Sequence, residues 1–242
     1  MQVVTSADRP ELENEVREAF RERWPEFIFH GEAAPEYLPR VSEYFGHFDI
    51  LLLDEGKVAA GGWGVPFAWS GDFDDLPDGY DGALARSVAD HEAGRTPTAL
   101  SFMAAAVAPA YDKQGLAQQV LTALVARAEE QGIGQVVAPL RPTWKHRYPL
   151  ATMADYATWV REDGLSIDPW IRTHQRMGAT VLGPATRSMV ISGTVAEWES
   201  WADMVFPVSG RYVVPDALNT ITVDRDADRA TYVEENLWVR HR

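Results

Sequence analysis

The 242-residue chain contains no cysteine. Disulfides, thiolate metal sites and a cysteine nucleophile are therefore excluded, and any chemistry rests on oxygen and nitrogen groups. No run of 18 apolar residues is present, and the opening MQVVTSADRPELENE lacks the basic and apolar regions of a secretion signal. The expectation is a soluble, cytoplasmic protein with no membrane partner. Positive charge is scarce: 22 Lys and Arg stand against 36 Asp and Glu, for a net charge of −14. Nucleic acids and anionic membranes are bound by neutralising phosphate, so this balance argues against both and favours a neutral or cationic small partner. The six histidines show no HExxH or other zinc spacing, and there is no GxSxG elbow. Asp224, Asp226, Asp228 and Glu235 imitate a calcium loop, but Arg229 stands where that loop needs glycine, and no metal is expected.

What is present is enough apolar residue, 46%, for one large core, with or without an appended subdomain. The chain is organised around residues 100–132. An apolar strand-like run from Leu100 to Val107 breaks at Ala108-Pro109 and turns through Tyr111-Asp112-Lys113-Gln114-Gly115. A helix follows, with Ala117, Val120, Leu121, Leu124, Val125 and Ala128 at three- and four-residue steps, and Gly132 as its stop. Such a turn presents open backbone N–H groups at the positive end of a helix, and Gly115 lets an anion approach closely. Phosphate is the group it suits.

The flanking pattern predicts a strand at 2–5 and a helix capped by Asp8 with Leu12, Val16, Ala19, Phe20 and Trp24 on one face. A loop at 27–34 holds His30. A second helix starts at Pro35, and a hairpin covers 48–53 and 58–69. Residues 70–98 form an insertion with five aspartates (Asp72, Asp74, Asp75, Asp78, Asp81) and a helix near 83–92. Their charge reads either as a solvated loop or as a wall that favours a protonated amine. A buried strand at 135–140 precedes a second insertion, 141–165, in which Arg141, Lys145, His146 and Arg147 form a local cationic patch. A helix at 168–177 begins with Asp168 as N-cap and Pro169 at its first position. A closing hairpin is expected at 180–183 and 187–192, then a helix at 195–201 and short strands at 212–214, 218–223 and 232–239.

The spacing V-x-P-x-Y-x-x-x-G-x-A, carried by Val107, Pro109, Tyr111, Gly115 and Ala117, resembles the cofactor signature of the GNAT superfamily of acyl-CoA-dependent N-acyltransferases. The element order resembles that family's too. The resemblance implies an α/β fold of the mixed α+β kind, a GNAT-like central mixed sheet with a splayed parallel pair. On this reading residues 1–194 form the acyl-CoA-binding domain, with its two insertions, and 195–242 a β-rich C-terminal extension. It implies acetyl-CoA or another acyl-CoA as co-substrate, held by Ala106, Val107, Asp112, Lys113, Gln114, Gly115, Leu116, Ala117 and Gln118.

Where the family places a tyrosine as general acid, four residues before a helix-ending glycine, this chain has His174 ahead of Gly178. With an ordinary pKa near about 6.5, a histidine there suits proton transfer. A backbone N–H near Val107 is implied as oxyanion donor. The base stays unassigned, with His30, Glu32 and the acidic insertion as candidates by position. Arg141 and Lys145 are expected to meet cofactor phosphates or, with His30, to contact substrate. The activity implied is transfer of an acetyl or other short acyl group from coenzyme A to an amine of a small molecule. A decarboxylase-like acyl-CoA enzyme, a noncatalytic CoA- or acyl-carrier-binding module and a purely structural protein remain as alternatives. The C-terminal strands offer a surface for a homodimer.

Overall fold

In the structure, a computed structural model describing residues 1–241, the elements run β1 (Gln2–Thr5), α1 (Glu13–Arg21), α2 (Ala34–Phe45), β2 (Asp49–Asp54), β3 (Lys57–Phe67) and α3 (Gly79–Glu92). They continue with β4 (Ala99–Val107), α4 (Leu116–Glu130), β5 (Gln135–Leu140), α5 (Met153–Ala157), α6 (Pro169–Arg176), β6 (Thr180–Gly193), α7 (Val195–Ala202), β7 (Gly210–Tyr212), β8 (Ile221–Asp224) and β9 (Arg229–Arg240). One nine-stranded sheet has the order β1-β2-β3-β4-β5-β9-β8-β7, with β6 on the other side of β9. All described pairings are antiparallel except β4 with β5. This is the expected mixed sheet. Among the described residues no helix is long and apolar enough to cross a membrane.

The main core joins α2, α3 and α4 to the central strands through Phe45, Leu84, Val88, Val120, Leu124 and Val137, all buried. A second cluster sits under the C-terminal part, where Phe27 stacks on Trp198 and meets Tyr232 edge-on. Helix α4 lies so close to the sheet that a Cβ on Gly62 would come within 2.6 Å of both Val120 Cγ1 and the Ala104 carbonyl. Only glycine allows that approach.

Three expectations need correction. The residues expected as a closing hairpin form a single 14-residue strand, β6, paired with β9 from Thr180↔Arg240 to Gly193↔Ala230. Pro184 and the two register shifts that flank it bend the strand, which reads locally as a turn, but β9 supplies one continuous partner. Residues 195–242, expected as an extension, supply that partner: β9 lies inside the sheet between β5 and β6. Asp8 caps no helix; its carboxylate accepts the Thr5 hydroxyl at 2.7 Å, and a short 3-10 turn, Pro10–Leu12, precedes α1.

The helix of the first insertion, α3, packs one face into the core. It buries Ala83, Leu84, Ser87, Val88 and Asp90, and Asp90 accepts the Ala68 N–H and pairs with Arg95. Just past the second insertion, Asp168 is wholly buried and caps α6 through the Trp170 and Ile171 N–H groups. It also accepts the Trp144 N–H at 2.7 Å and the Tyr156 hydroxyl at 2.9 Å. One carboxylate thus ties the insertion to the helix that carries His174.

Candidate active site

Strands β4 and β5 pair for only three residues, Ala99↔Gln135, Leu100↔Val136 and Ser101↔Val137. They then part. The register of β3 and β4 shifts between Trp63↔Ala104 and Gly64↔Phe102, so Met103 is an extra residue, and a bulge of this kind increases local twist. On its β3 side β4 stays paired to Val107, whereas its β5 side has no strand partner beyond Ser101. Backbone N–H and C=O groups on that side are open to an amide-bearing ligand. The side chains there are the alanines 104, 105 and 106, which leave room.

A cavity of 310 Å³ occupies the gap. Its aromatic walls are Trp24, Phe29, Trp63, Tyr80 and Trp170, and His174, Arg141, Glu234 and Asn236 are its polar groups. Glu234 is 0% exposed. Its Oε2 accepts Arg141 Nε at 3.0 Å and the Tyr232 hydroxyl at 2.9 Å, and its Oε1 accepts Asn236 Nδ2 at 2.9 Å. Asn236 Oδ1 in turn accepts the Ser188 hydroxyl, whose oxygen takes the Tyr80 N–H at 2.8 Å. The chain of bonds runs from α3 across β6 and β9 to the start of the second insertion. A buried carboxylate so tied is held in one position.

At the opening of the gap stands the glycine turn. Gly115 has φ +76° and N-caps α4 without a side chain, and a Cβ there would meet nothing within 4 Å. Lys113 is also left-handed, at φ +63°. Asp112, Lys113, Gln114, Gly115 and Gln118 are exposed, so the first-turn N–H groups face solvent, ready for an anion. Leu116 is buried, and only its backbone can reach a ligand. Arg23 lies 2.7 Å from the Asp112 carboxylate and brings a guanidinium to the turn. The residues present fit a pyrophosphate and a pantetheine arm: an open cradle, then an unpaired strand edge.

The structure places the other expected residues differently. His174 does line the cavity, 1% exposed, but burial and neighbouring His241 push its pKa down to about 3, far from the 6.5 expected. It is neutral at neutral pH. His30 lies outside the cavity wall, stacked at 4.1 Å on Trp201 and bonded to Glu26. Lys145 is fully buried and donates to the carbonyls of Leu218 (2.7 Å) and Tyr148 (3.0 Å), so it reaches no phosphate; burial also lowers its pKa. Arg141 touches the cavity, but its guanidinium is taken by Glu234 and by the Asp216 carbonyl at 2.7 Å.

Of the five insertion aspartates, Asp81 turns inward. It accepts the Val190 N–H at 3.0 Å, and burial pushes its pKa up to about 6, helped by the Glu32 and Glu234 charges and opposed by that N–H and by Arg187. Sequence reasoning missed Glu234, Asn236 and His241. A signal existed for the first two. Tyr232, Glu234, Asn236 and Trp238 alternate on one face of β9, so apolar neighbours at the same period marked a carboxylate headed for the interior. For His241 there was none, because its partner lies 67 residues away.

A strand edge freed by splaying, with an open glycine turn at one end and an aromatic-walled cavity at the other, is an arrangement that acyl transfer from coenzyme A can use. The chain is 31% identical over 247 residues to the arginine N-acetyltransferase avaD of Aspergillus versicolor, across 90% of this chain and 84% of the relative. It belongs to the GNAT superfamily, and is an enzyme that moves a short acyl group from coenzyme A to an amine. Two solved structures share the fold at TM-score 0.60 each. The loading GNATL domain of CurA from Lyngbya majuscula is 16% identical, over 95% of this chain and 92% of that one. The GphF GNAT-like decarboxylase in complex with isobutyryl-CoA is 18% identical, over 100% and 98%. No protein-family model matches the chain.

Proposed function

We propose that the protein transfers the acetyl group of acetyl-CoA to an amine of a small cationic acceptor of the arginine type. The observation that carries this reading is the cavity itself, which joins the unpaired β4 edge to aromatic walls, with the Glu234 charge answered by Arg141 and the Asp81 carboxyl close to Glu234. Aromatic faces and nearby carboxylates attract a guanidinium or ammonium group. The overall charge of −14 raises the local concentration of such cations, and the acceptor named for the fungal relative has this chemistry.

The acceptor nitrogen, once neutral, forms a bond to the thioester carbonyl carbon and the C–S bond breaks. Backbone N–H groups on the free edge of β4 oppose the charge that builds on the carbonyl oxygen. The amine loses one proton and the departing sulfur gains one. The acceptor's proton leaves through water to solvent, and His174 faces the cavity as donor to the sulfur.

The test measures free-thiol release and acetylated product for L-arginine, agmatine, L-lysine and the neutral isostere L-citrulline, with acetyl-CoA, malonyl-CoA and isobutyryl-CoA as donors. Turnover of the cationic acceptors with acetyl-CoA, and little with citrulline, is expected. Citrulline turned over as well as arginine would sink the cationic reading. Carbon dioxide released from malonyl-CoA, with no acylated amine from any donor, would replace acyl transfer by decarboxylation.

A further inference from the structure

A buried imidazole and a half-buried one meet at the β5 side of the cavity. His174 Nδ1 lies 2.7 Å from His241 Nε2. His241 follows β9, and its backbone N–H donates to the Val136 carbonyl of β5 at 2.9 Å. Its ring packs on Phe102 of β4 with centroids 5.3 Å apart, while Trp170 meets the His174 ring edge-on at 4.5 Å. Strand, helix and aromatic contacts therefore hold both rings in place.

At such a distance one proton lies between the two nitrogens, so one ring donates and the other accepts. The remaining nitrogen of His174, Nε2, is buried with no partner among the described residues, and the residue lines the cavity. It is free for whatever the cavity holds. His241 is only partly buried, so the pair spans from the cavity toward solvent. Burial lowers His241 to about 4 as it lowers His174, hence both rings are neutral at neutral pH and their tautomers decide which nitrogen can donate.

We propose that His241 positions and recharges His174: its Nε2–H donates to His174 Nδ1, which keeps the His174 proton on Nε2, facing the sulfur that leaves. The inference rests on the reading of His174 as proton donor. A neutral imidazole gives up a proton only poorly on its own, because the product would be an anion. With His241 behind it the transfer stays neutral. As the C–S bond breaks, the sulfur takes the Nε2 proton of His174, His174 Nδ1 takes the Nε2 proton of His241, and His241 Nδ1 takes one from solvent. The proton drawn from solvent is balanced by the one the amine releases there. Each ring ends neutral, with its proton on the opposite nitrogen, and exchange with solvent restores the pair.

The experiment compares His174→Ala, His241→Ala and His241→Gln, each first shown by thermal shift to be folded and to bind coenzyme A. A glutamine amide can donate to His174 Nδ1 but cannot pass a proton through. For His241→Ala the expectation is a fall in kcat of about 100-fold with KM for acetyl-CoA unchanged, the low end for assistance to proton transfer. His241→Gln is expected to be equally slow, and added imidazole should speed His241→Ala alone. Nitrogen chemical shifts in the wild type should show His174 protonated on Nε2. A wild-type rate in His241→Gln or His241→Ala, no response of His241→Ala to imidazole, or a His174 proton on Nδ1 would each overturn the proposal. Those outcomes count against His241 when His174→Ala is impaired; a fully active His174→Ala instead removes the reading of His174 as donor.

Discussion

Arg141 Nε lies 3.0 Å from Glu234 Oε2, with the carboxylate wholly buried and the guanidinium side chain 17% exposed. In this arrangement the guanidinium neutralises its own chain, and, with Lys145 bonded to two backbone carbonyls, neither cation is left for a phosphate. Arg141→Ala would leave a buried carboxylate with only Tyr232 and Asn236 as donors. The expected loss is about 3–5 kcal/mol, read from urea midpoints, because breaking a buried pair costs more than the pair contributes. Arg141→Ala with Glu234→Gln should recover much of it. The salt dependence of coenzyme A binding should not change in the folded variant; a weakened salt slope with undiminished stability would return Arg141 to the phosphates.

The glycine turn makes a second prediction. At a hundred times its dissociation constant, coenzyme A should stabilise the native wild type by about 2.7 kcal/mol, visible as a rise in Tm of several degrees. In Gly115→Glu a carboxylate replaces the open position at φ +76°, and that rise should vanish. An equal rise in the variant would show that the phosphates bind elsewhere.

Asp81 should behave as a costly residue. Its carboxyl has a folded-state pKa raised to about 6, so its contribution to stability is full below about pH 3.9 and is lost as the pH rises through 6. Asp81→Asn is therefore expected to be more stable than wild type at pH 8, by on the order of 1 kcal/mol, and less favoured in acid. It should also raise KM for a cationic acceptor severalfold while leaving KM for acetyl-CoA unchanged. Unchanged acceptor KM would remove Asp81 from the site.

The histidine pair carries the opposite sign. The folded-state pKa of His174 is about 3 and that of His241 about 4, both below the ordinary value near 6.5. As the pH falls through about 6.5 the unfolded chain binds protons that the native state refuses, so their share of stability is present above that pH and lost below it. Asp49, also raised to about 6 by burial, and Asp81 run the other way, so the comparison needs a variant. The stability difference between wild type and His174→Gln should be flat above about pH 7 and shift against wild type from there toward pH 4. A difference that ignores pH in this window would mean that the imidazole is hydrated or charged in the native protein.

Much of the site was legible because it is local. The strand, the turn and the helix of residues 99–130 lie next to one another in the chain, and Gly115 signals a left-handed position by its identity alone. The strand–turn–helix unit proposed for the cofactor was therefore readable from the sequence, and Asp168 as N-cap was as well. The cationic patch misled for a physical reason. Lys145 looks like a surface charge beside other charges, but two backbone carbonyls 3 and 73 residues away are what satisfy its ammonium group in the interior. The single strand β6 was read as a hairpin because its bend at Pro184 is local and its partner β9 is not.

By itself the sequence determined the periodicities, the left-handed glycine turn, the acidic balance and the absence of thiol chemistry, all of which are read from residue identities or from neighbours within a few residues. Only the tertiary structure decided what lies across the cavity from that turn. Glu234, Arg141, His241 and His174 come together because β9 inserts beside β5, and that pairing is driven by burial of apolar surface from the whole sheet, which no short stretch of the chain contains.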